Sequence, residues 1–163
     1  MRKVWYASYG SNILFERLAH YIIGGTCRFN GKTYDGCADR TLPTEDKPIV
    51  IPYEMYFGNE SKSWGGHGVA FLDMDKASAI IGRAYLITEE QFKEIWEQEG
   101  NGPDWYCTVV NLGEYGDYPI RTFTNASRRM ENAPSRVYLE TIAAGIKELL
   151  SDVIEQHELV QNV

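Results

Sequence analysis

The sequence predicts an α+β fold on two observations. Strand-like stretches outnumber helical ones, and local hairpins alternate with helices instead of forming regular βαβ units. With 163 residues the chain is most simply one domain, long enough to bury a real core.

Residues 3–9 alternate as a strand does and are rich in valine and aromatics. Gly10 permits a tight turn, Ser11 or Asn12 suits an N-cap, and Ile13–Tyr21 carries apolar residues at helical spacing. A strand that passes through a one-glycine turn into a helix leaves backbone N–H groups unpaired. Such a nest attracts a carboxylate or a developing oxyanion. The same residues also suit an ordinary turn capped by Ser11. Neither the Gly-Lys-Ser/Thr ending of a phosphate loop nor the Gly-x-Ser-x-Gly pattern of a nucleophile elbow is present.

Glycine and proline then punctuate residues 24–48, where Asn30-Gly31 reads as a hairpin turn between Thr26–Phe29 and Lys32–Tyr34. Asp39 to Lys47 reads as a surface loop. Ile49–Phe57 is strand-like, and Trp64-Gly65-Gly66-His67-Gly68 is a glycine-rich turn into the next strand. Ala79–Ile87 is a further strand, with Gly82 marking a bulge.

Thr88-Glu89-Glu90-Gln91 is a capping box that opens a helix running to about Glu99. At ~100° per residue Phe92, Ile95 and Trp96 share one stripe, and Glu99 falls in its middle, while Glu94 and Glu97 point toward solvent. Glu99 is thus a carboxylate on the inward face, in the last turn before Gly100. Burial and the negative end of the helix dipole both raise its pKa, which suits a base near neutral pH. The competing reading is a frayed end with Glu99 in solvent.

Trp105–Leu112 and Tyr118–Thr124 form a hairpin across Gly113–Asp117, with Tyr106 opening its first strand. Asn132-Ala133-Pro134-Ser135 leads into a long helix, the proline suited to its first turn. Tyr138, Ile142, Gly145, Ile146, Leu149 and Val153 keep an apolar face along it.

Composition removes several function classes. A net charge of −7 argues against nucleic acid or an anionic membrane as a partner, and Arg128-Arg129 is too short a basic cluster. The apolar run after Arg2-Lys3 is too short for a signal peptide, and nothing approaches transmembrane length. Three cysteines, an odd number, fit a reducing cytoplasm better than a secreted disulfide scaffold, though Cys27 and Cys37 could meet across their loop. Their spacing matches no zinc module, and with only three histidines, at 20, 67 and 157, no metal site is expected. The 13% aromatic content, with 11 tyrosines, is high and suits half-polar pockets.

Tyr9-Gly10-Ser11-Asn12-Ile13 resembles the signature of the γ-glutamylcyclotransferase superfamily, whose loop grips the γ-glutamyl group. Glu97-Gln98-Glu99-Gly100 is similar to the family's Glu-Gln-Glu-Gly segment, which places the catalytic acid/base on Glu99. The tryptophan and paired glycines at 64–66 have a counterpart there, but His67 is displaced by one position from the family's usual histidine and is assigned no catalytic role. Pocket tyrosines would fall on Tyr106 and Tyr138, the hydroxyl of Tyr138 facing the ligand; core packing is the other reading of both. The resemblance spans most of residues 1–163 and implies a single domain built on a small mixed β-barrel flanked by helices. Residues 22–48 look partly inserted, either roofing the pocket or decorating the surface. The implied activity is a cofactor-independent cyclotransferase releasing 5-oxoproline from a small γ-glutamyl substrate. Another γ-glutamyl acyl transfer or hydrolysis, or a non-catalytic binding module, are the alternatives. Which γ-glutamyl substrate is used, and the oligomeric state, are not written in these motifs.

Overall fold

The computed structural model describes the backbone of residues 2–161 and the side chains of residues 2–152. Its elements are β1 (Lys3–Ser8), α1 (Phe15–Ile23), β2 (Gly25–Thr26), β3 (Thr33–Tyr34), β4 (Asp46–Ser61), β5 (His67–Thr88), α2 (Glu89–Glu99), β6 (Thr108–Tyr115), β7 (Tyr118–Thr124) and α3 (Arg136–Gln161). Five strands form one sheet in the order β4-β5-β1-β7-β6, and β2 pairs with β3 apart from it. The architecture is α+β with a mixed sheet: β1 runs antiparallel to β5, as in Ala7↔Ala84, and parallel to β7, as in Trp5↔Ile120.

Strand lengths shape the molecule. β1 has 6 residues and β5 has 22, so β5 continues well past the end of β1. There it curls toward β7, where the Leu72 N–H donates to Thr124 Oγ1 at 2.9 Å. The sheet therefore bends like a barrel around a gap where β1 stops. The core fills from both sides with Val4, Leu18, Phe71, Tyr85 and Ile95, all fully buried.

Several elements differ from the expectations, each for a physical reason. Residues 79–87 are the second half of one continuous strand, because Asp75–Ala79 is exposed and loses the apolar alternation while its ladder with β4 persists. Gly82 makes no bulge; it pairs regularly with Ile49, and the register shifts lie at 51–54 and 58–61 of β4. Its glycine is needed for a close approach instead, since a Cβ there would lie 2.7 Å from the Ser8 carbonyl oxygen. Ser11–Ile13 is a 3₁₀ turn and α1 begins only at Phe15, with Leu14 at its N-cap and no side-chain cap. Ser11 and Asn12 do not cap the helix because their side chains are engaged elsewhere: Ser11 Oγ accepts from Arg17, and Asn12 Nδ2 donates to Tyr6 and Glu99.

The first hairpin shrinks to two residues a side. Asn30-Gly31 sits in the connection between them, closed by Cys27 N–H to Lys32 O at 2.8 Å. β6 starts at Thr108, since the Trp105 carbonyl accepts from Asn125 Nδ2 and the Tyr106 carbonyl from Trp96 Nε1 rather than entering a ladder. Pro134 precedes the first turn of α3 instead of sitting in it. Ser135 holds the cap, its Oγ accepting from the Tyr138 N–H at 3.1 Å. Glu94 is half-buried and takes the Ala38 N–H, while Glu97 is exposed as expected. Val153 lies outside the described side chains. Among the described residues no helix is long and apolar enough to cross a membrane.

Candidate active site

The gap beyond β1 opens into a cleft of about 600 Å³, part of it open to solvent. Tyr9, Gly10, Ser11, Asn12, Glu99, Tyr106 and Tyr138 all line it. The fold brings every one of the site residues expected from sequence to this one place.

The loop is pinned from behind. Tyr85 Oη shares its one hydrogen between the carbonyls of Asn12 and Ile13, both at 2.9 Å, and the buried Arg83 Nη1 donates to Ile13 O at 3.0 Å. Gly145 of α3 lets that helix lie directly on Ile13 and Leu14. Gly10 is required by crowding rather than by its dihedrals: φ is −111°, but a Cβ would come 2.9 Å from Tyr138 Oη and 3.2 Å from Ala70 Cβ. The N–H groups of Ile13 and Leu14 close the turn on the Gly10 and Ser11 carbonyls, each at 3.2 Å. Among the described residues those of Gly10 and Asn12 make no hydrogen bond.

Glu99 is the last residue of α2, held there by the capping box at Thr88 and Gln91 and by Gly100 beyond it. Its Oε1 accepts from Asn12 Nδ2 at 2.7 Å, and that same Nδ2 reaches Tyr6 Oη at 3.1 Å. Burial holds the Glu99 carboxyl above the ordinary range of a glutamate; the Arg17 charge, the Asn12 amide and the Tyr21 hydroxyl oppose the shift. Asn12 Oδ1 is buried with no partner among the described residues. An acceptor left empty in such a place is costly unless something else fills it.

Sequence reasoning missed Arg17, although the helical arithmetic that placed Glu99 inside would have placed it too. Arg17 lies on the face of α1 shared by Leu18, Tyr21 and Ile22, and it is 1% exposed. Its donors go to Ser11 Oγ, Cys27 Sγ, Tyr34 Oη and Tyr21 Oη, none of them a carboxylate. The guanidinium sits 5.2 Å from the Tyr21 ring centroid and 5.3 Å from those of Tyr34 and Trp64. Sequence reasoning missed Lys32 and Tyr34 as well. Both line the cleft, whereas residues 39 and 41–45 line a separate groove against α2. His67 is exposed at the start of β5 and outside the cleft. Burial keeps the hydroxyls of Tyr6, Tyr9 and Tyr106 protonated well above the usual phenol range, so they act as hydrogen-bonding groups.

Solved structures share this arrangement of elements. A γ-glutamyl cyclotransferase superposes with a TM-score of 0.65 over 97% of this chain and 86% of its own, at 19% identity. The fold is that of the γ-glutamyl cyclotransferases. An uncharacterized protein from Homo sapiens has the same fold, with a TM-score of 0.66, 20% identity, and 98% of this chain and 87% of its own covered. YkqA from Bacillus subtilis shares it at 0.56 and 17% identity, over 96% of this chain and 54% of that one. By sequence, the chain is 30% identical over 189 aligned positions to histone deacetylase 5 of Arabidopsis thaliana. That match covers 89% of this chain, but the chain spans only 28% of the length of that curated relative. No family model matches. Within the cyclotransferase fold, the loop after β1 and the end of α2 are the two elements that meet at the cleft.

Proposed function

We propose that the protein is a γ-glutamyl cyclotransferase that releases 5-oxoproline and a free amine or amino acid. The observation that carries this reading is Glu99. It is a carboxylate held above its ordinary pKa at the wall of a cleft and fixed by Asn12 at 2.7 Å, beside a loop with two unpaired N–H groups.

In the reaction, Glu99 takes a proton from the substrate's α-ammonium group, with Asn12 Oδ1 available to hold that ammonium. The freed amine attacks the γ-carbonyl carbon and closes a five-membered ring. The Gly10 and Asn12 N–H groups face the oxyanion that develops. As the intermediate collapses, the γ-carbon–nitrogen bond breaks and Glu99 returns its proton to the departing nitrogen. Holding amine and carbonyl in one cleft supplies much of the rate, since effective molarities for such closures reach about 10⁵ M or more.

We take the chain as one domain of this kind, with the segment around 22–48 its divergent part, and place it in the reducing cytoplasm. All three cysteines are free and two of them are buried, which fits that compartment. The deacetylation named for the Arabidopsis relative belongs to a protein matched over 28% of its length, and we do not carry it across. The test is incubation with γ-glutamyl amino acids, γ-glutamyl amines and glutathione, followed by assay of 5-oxoproline. Release of glutamate in its place would mean hydrolysis at the same site, and neither product would leave a binding module.

A further inference from the structure

The charges lining the cleft do not balance. Arg17 and Lys32 are cations, and Glu99 is the one carboxylate opposite them among the described residues. Arg17 lies on the floor beside Ser11 of the loop, at the end where the glutamyl group would be gripped. Lys32 is different: it is exposed, at the rim, and comes from the divergent hairpin. Its Nζ rests 4.9 Å from the Tyr34 ring centroid, and among the described residues no carboxylate lies within ion-pair distance of it.

The base beneath Lys32 is rigid. Cys27 N–H donates to the Lys32 carbonyl at 2.8 Å, and the Lys32 N–H donates to Asn30 Oδ1 at 3.0 Å. Tyr34 is buried, takes hydrogen bonds from Arg17 and Asn30, and packs against Tyr21 at 4.5 Å. The backbone of Lys32 is therefore fixed at the rim of the cleft, and its ammonium lies over the ring of the buried Tyr34. It is also near enough for its charge to bear on Glu99.

A γ-glutamyl group carries one ammonium and one carboxylate, which cancel. A simple amine as leaving group adds no charge, whereas an amino acid adds one negative charge. That extra charge is what a cleft with two cations and one carboxylate is short of. The leaving group varies in size and must face the open rim, where Lys32 stands. We infer that Lys32 is a specificity residue that holds a carboxylate on the departing amine, so that γ-glutamyl amino acids are preferred over γ-glutamyl amines. This rests on the cyclotransferase reading above.

A matched pair tests it: γ-glutamyl-alanine and γ-glutamyl-ethylamine differ by that one carboxylate. The ratio of their kcat/KM values, measured as 5-oxoproline release, should favour the alanyl compound in the native protein. Lys32→Met should lower that ratio by about two- to five-fold, as expected for one exposed ion pair. Lys32→Arg should retain it, and added salt should weaken it. Dissociation constants for the same pair are measured in Glu99→Gln, with and without Lys32→Met. If the binding ratio shifts with Lys32→Met but no 5-oxoproline forms from either compound, the subsite stands and the reaction assignment falls. If 5-oxoproline forms from both compounds at a ratio that Lys32→Met does not change, the subsite is overturned and the reaction stands. A native preference for the ethylamine compound, or no binding of either, also overturns the subsite.

Discussion

Replacing Glu99 by glutamine keeps the shape of the side chain and removes its ability to move a proton. The acceptor used by Asn12 Nδ2 at 2.7 Å survives as the amide oxygen, so the loop should keep its geometry and the substrate should still bind. Turnover should fall by roughly 10²–10⁴-fold, the usual contribution of a general base, which is about 3–5 kcal/mol on the barrier. Stability involves two opposing effects. Burial raises the carboxyl above 4.5, so its ionised form costs stability, and glutamine removes that cost. Glutamine also removes the negative charge that faces the buried Arg17. The net change near neutral pH should stay within about 1 kcal/mol. The pH dependence is more telling. Because the folded-state pKa is raised, Glu99's contribution is fully favourable below the unfolded value near 4.5 and is lost as pH rises through the folded value. The difference in unfolding free energy between native protein and variant should therefore grow in the variant's favour from about pH 4.5 upward, then level off. Initial rates of 5-oxoproline release, calorimetric binding and urea unfolding across pH measure all three. Glu97→Gln, on the exposed side of α2, is the control and should be nearly silent. Turnover within ten-fold of the native rate in Glu99→Gln, or collapse in Glu97→Gln, would refute the assignment.

Arg17→Met should move the acid limb of the kcat/KM profile to higher pH, because the guanidinium charge holds Glu99 down against burial; an unmoved limb would separate the two groups. Tyr138→Phe strips the acceptor from the Ala70 N–H and should cost about 1–3 kcal/mol in urea unfolding, with a rise in KM as the cleft wall loosens. Gly145→Ala sets two effects against each other. Helix propensity favours alanine by up to ~1 kcal/mol, but its Cβ would lie 2.5 Å from the Leu14 nitrogen and 2.8 Å from the Ile13 carbonyl carbon. Both neighbours are backbone, so the clash should win, lowering the Tm and the activity together; a more stable variant would contradict the close packing of α3 on the loop.

What was legible in the sequence was periodicity and capping. α2 runs from Glu89 to Glu99 as read, because Thr88 and Gln91 close the capping box and Phe92 and Ile95 fill the buried stripe. β7 likewise falls at Tyr118–Thr124 as expected. The misreadings around the cleft share one cause, namely polar side chains that serve tertiary partners instead of local ones. Ser11 and Asn12 have the chemistry of N-caps, yet the cleft claims both. Trp105 and Tyr106 have strand propensity, yet side chains of Asn125 and Trp96 take their carbonyls. Arg17 escaped notice because an arginine in a helix reads as solvated by default. Only the ring of Tyr21, Tyr34 and Trp64 around it, two parts of which come from other elements, makes its burial possible.

The two readings of the cleft tyrosines, core packing or ligand contact, are not exclusive, and the strand lengths explain why. Where β1 ends, β5 and β7 lose a neighbour, and their backbone groups need other partners. Tyr106 Oη donates to the Ala70 carbonyl and Tyr9 Oη to the Phe123 carbonyl, each at 2.8 Å, while Tyr138 Oη accepts from the Ala70 N–H at 3.0 Å. The hydroxyls thus complete the sheet edge that the cleft exposes. Their remaining capacity differs, however. A phenol has one hydrogen to give, and Tyr9 and Tyr106 have already given theirs. Tyr138 accepts from the backbone and keeps its hydrogen, so among these three it alone can donate to a bound carboxylate or oxyanion. Tyr138→Phe should then weaken binding more than the loss of a backbone partner explains. Tyr106→Phe, which removes only the donor to Ala70, should act mainly on stability.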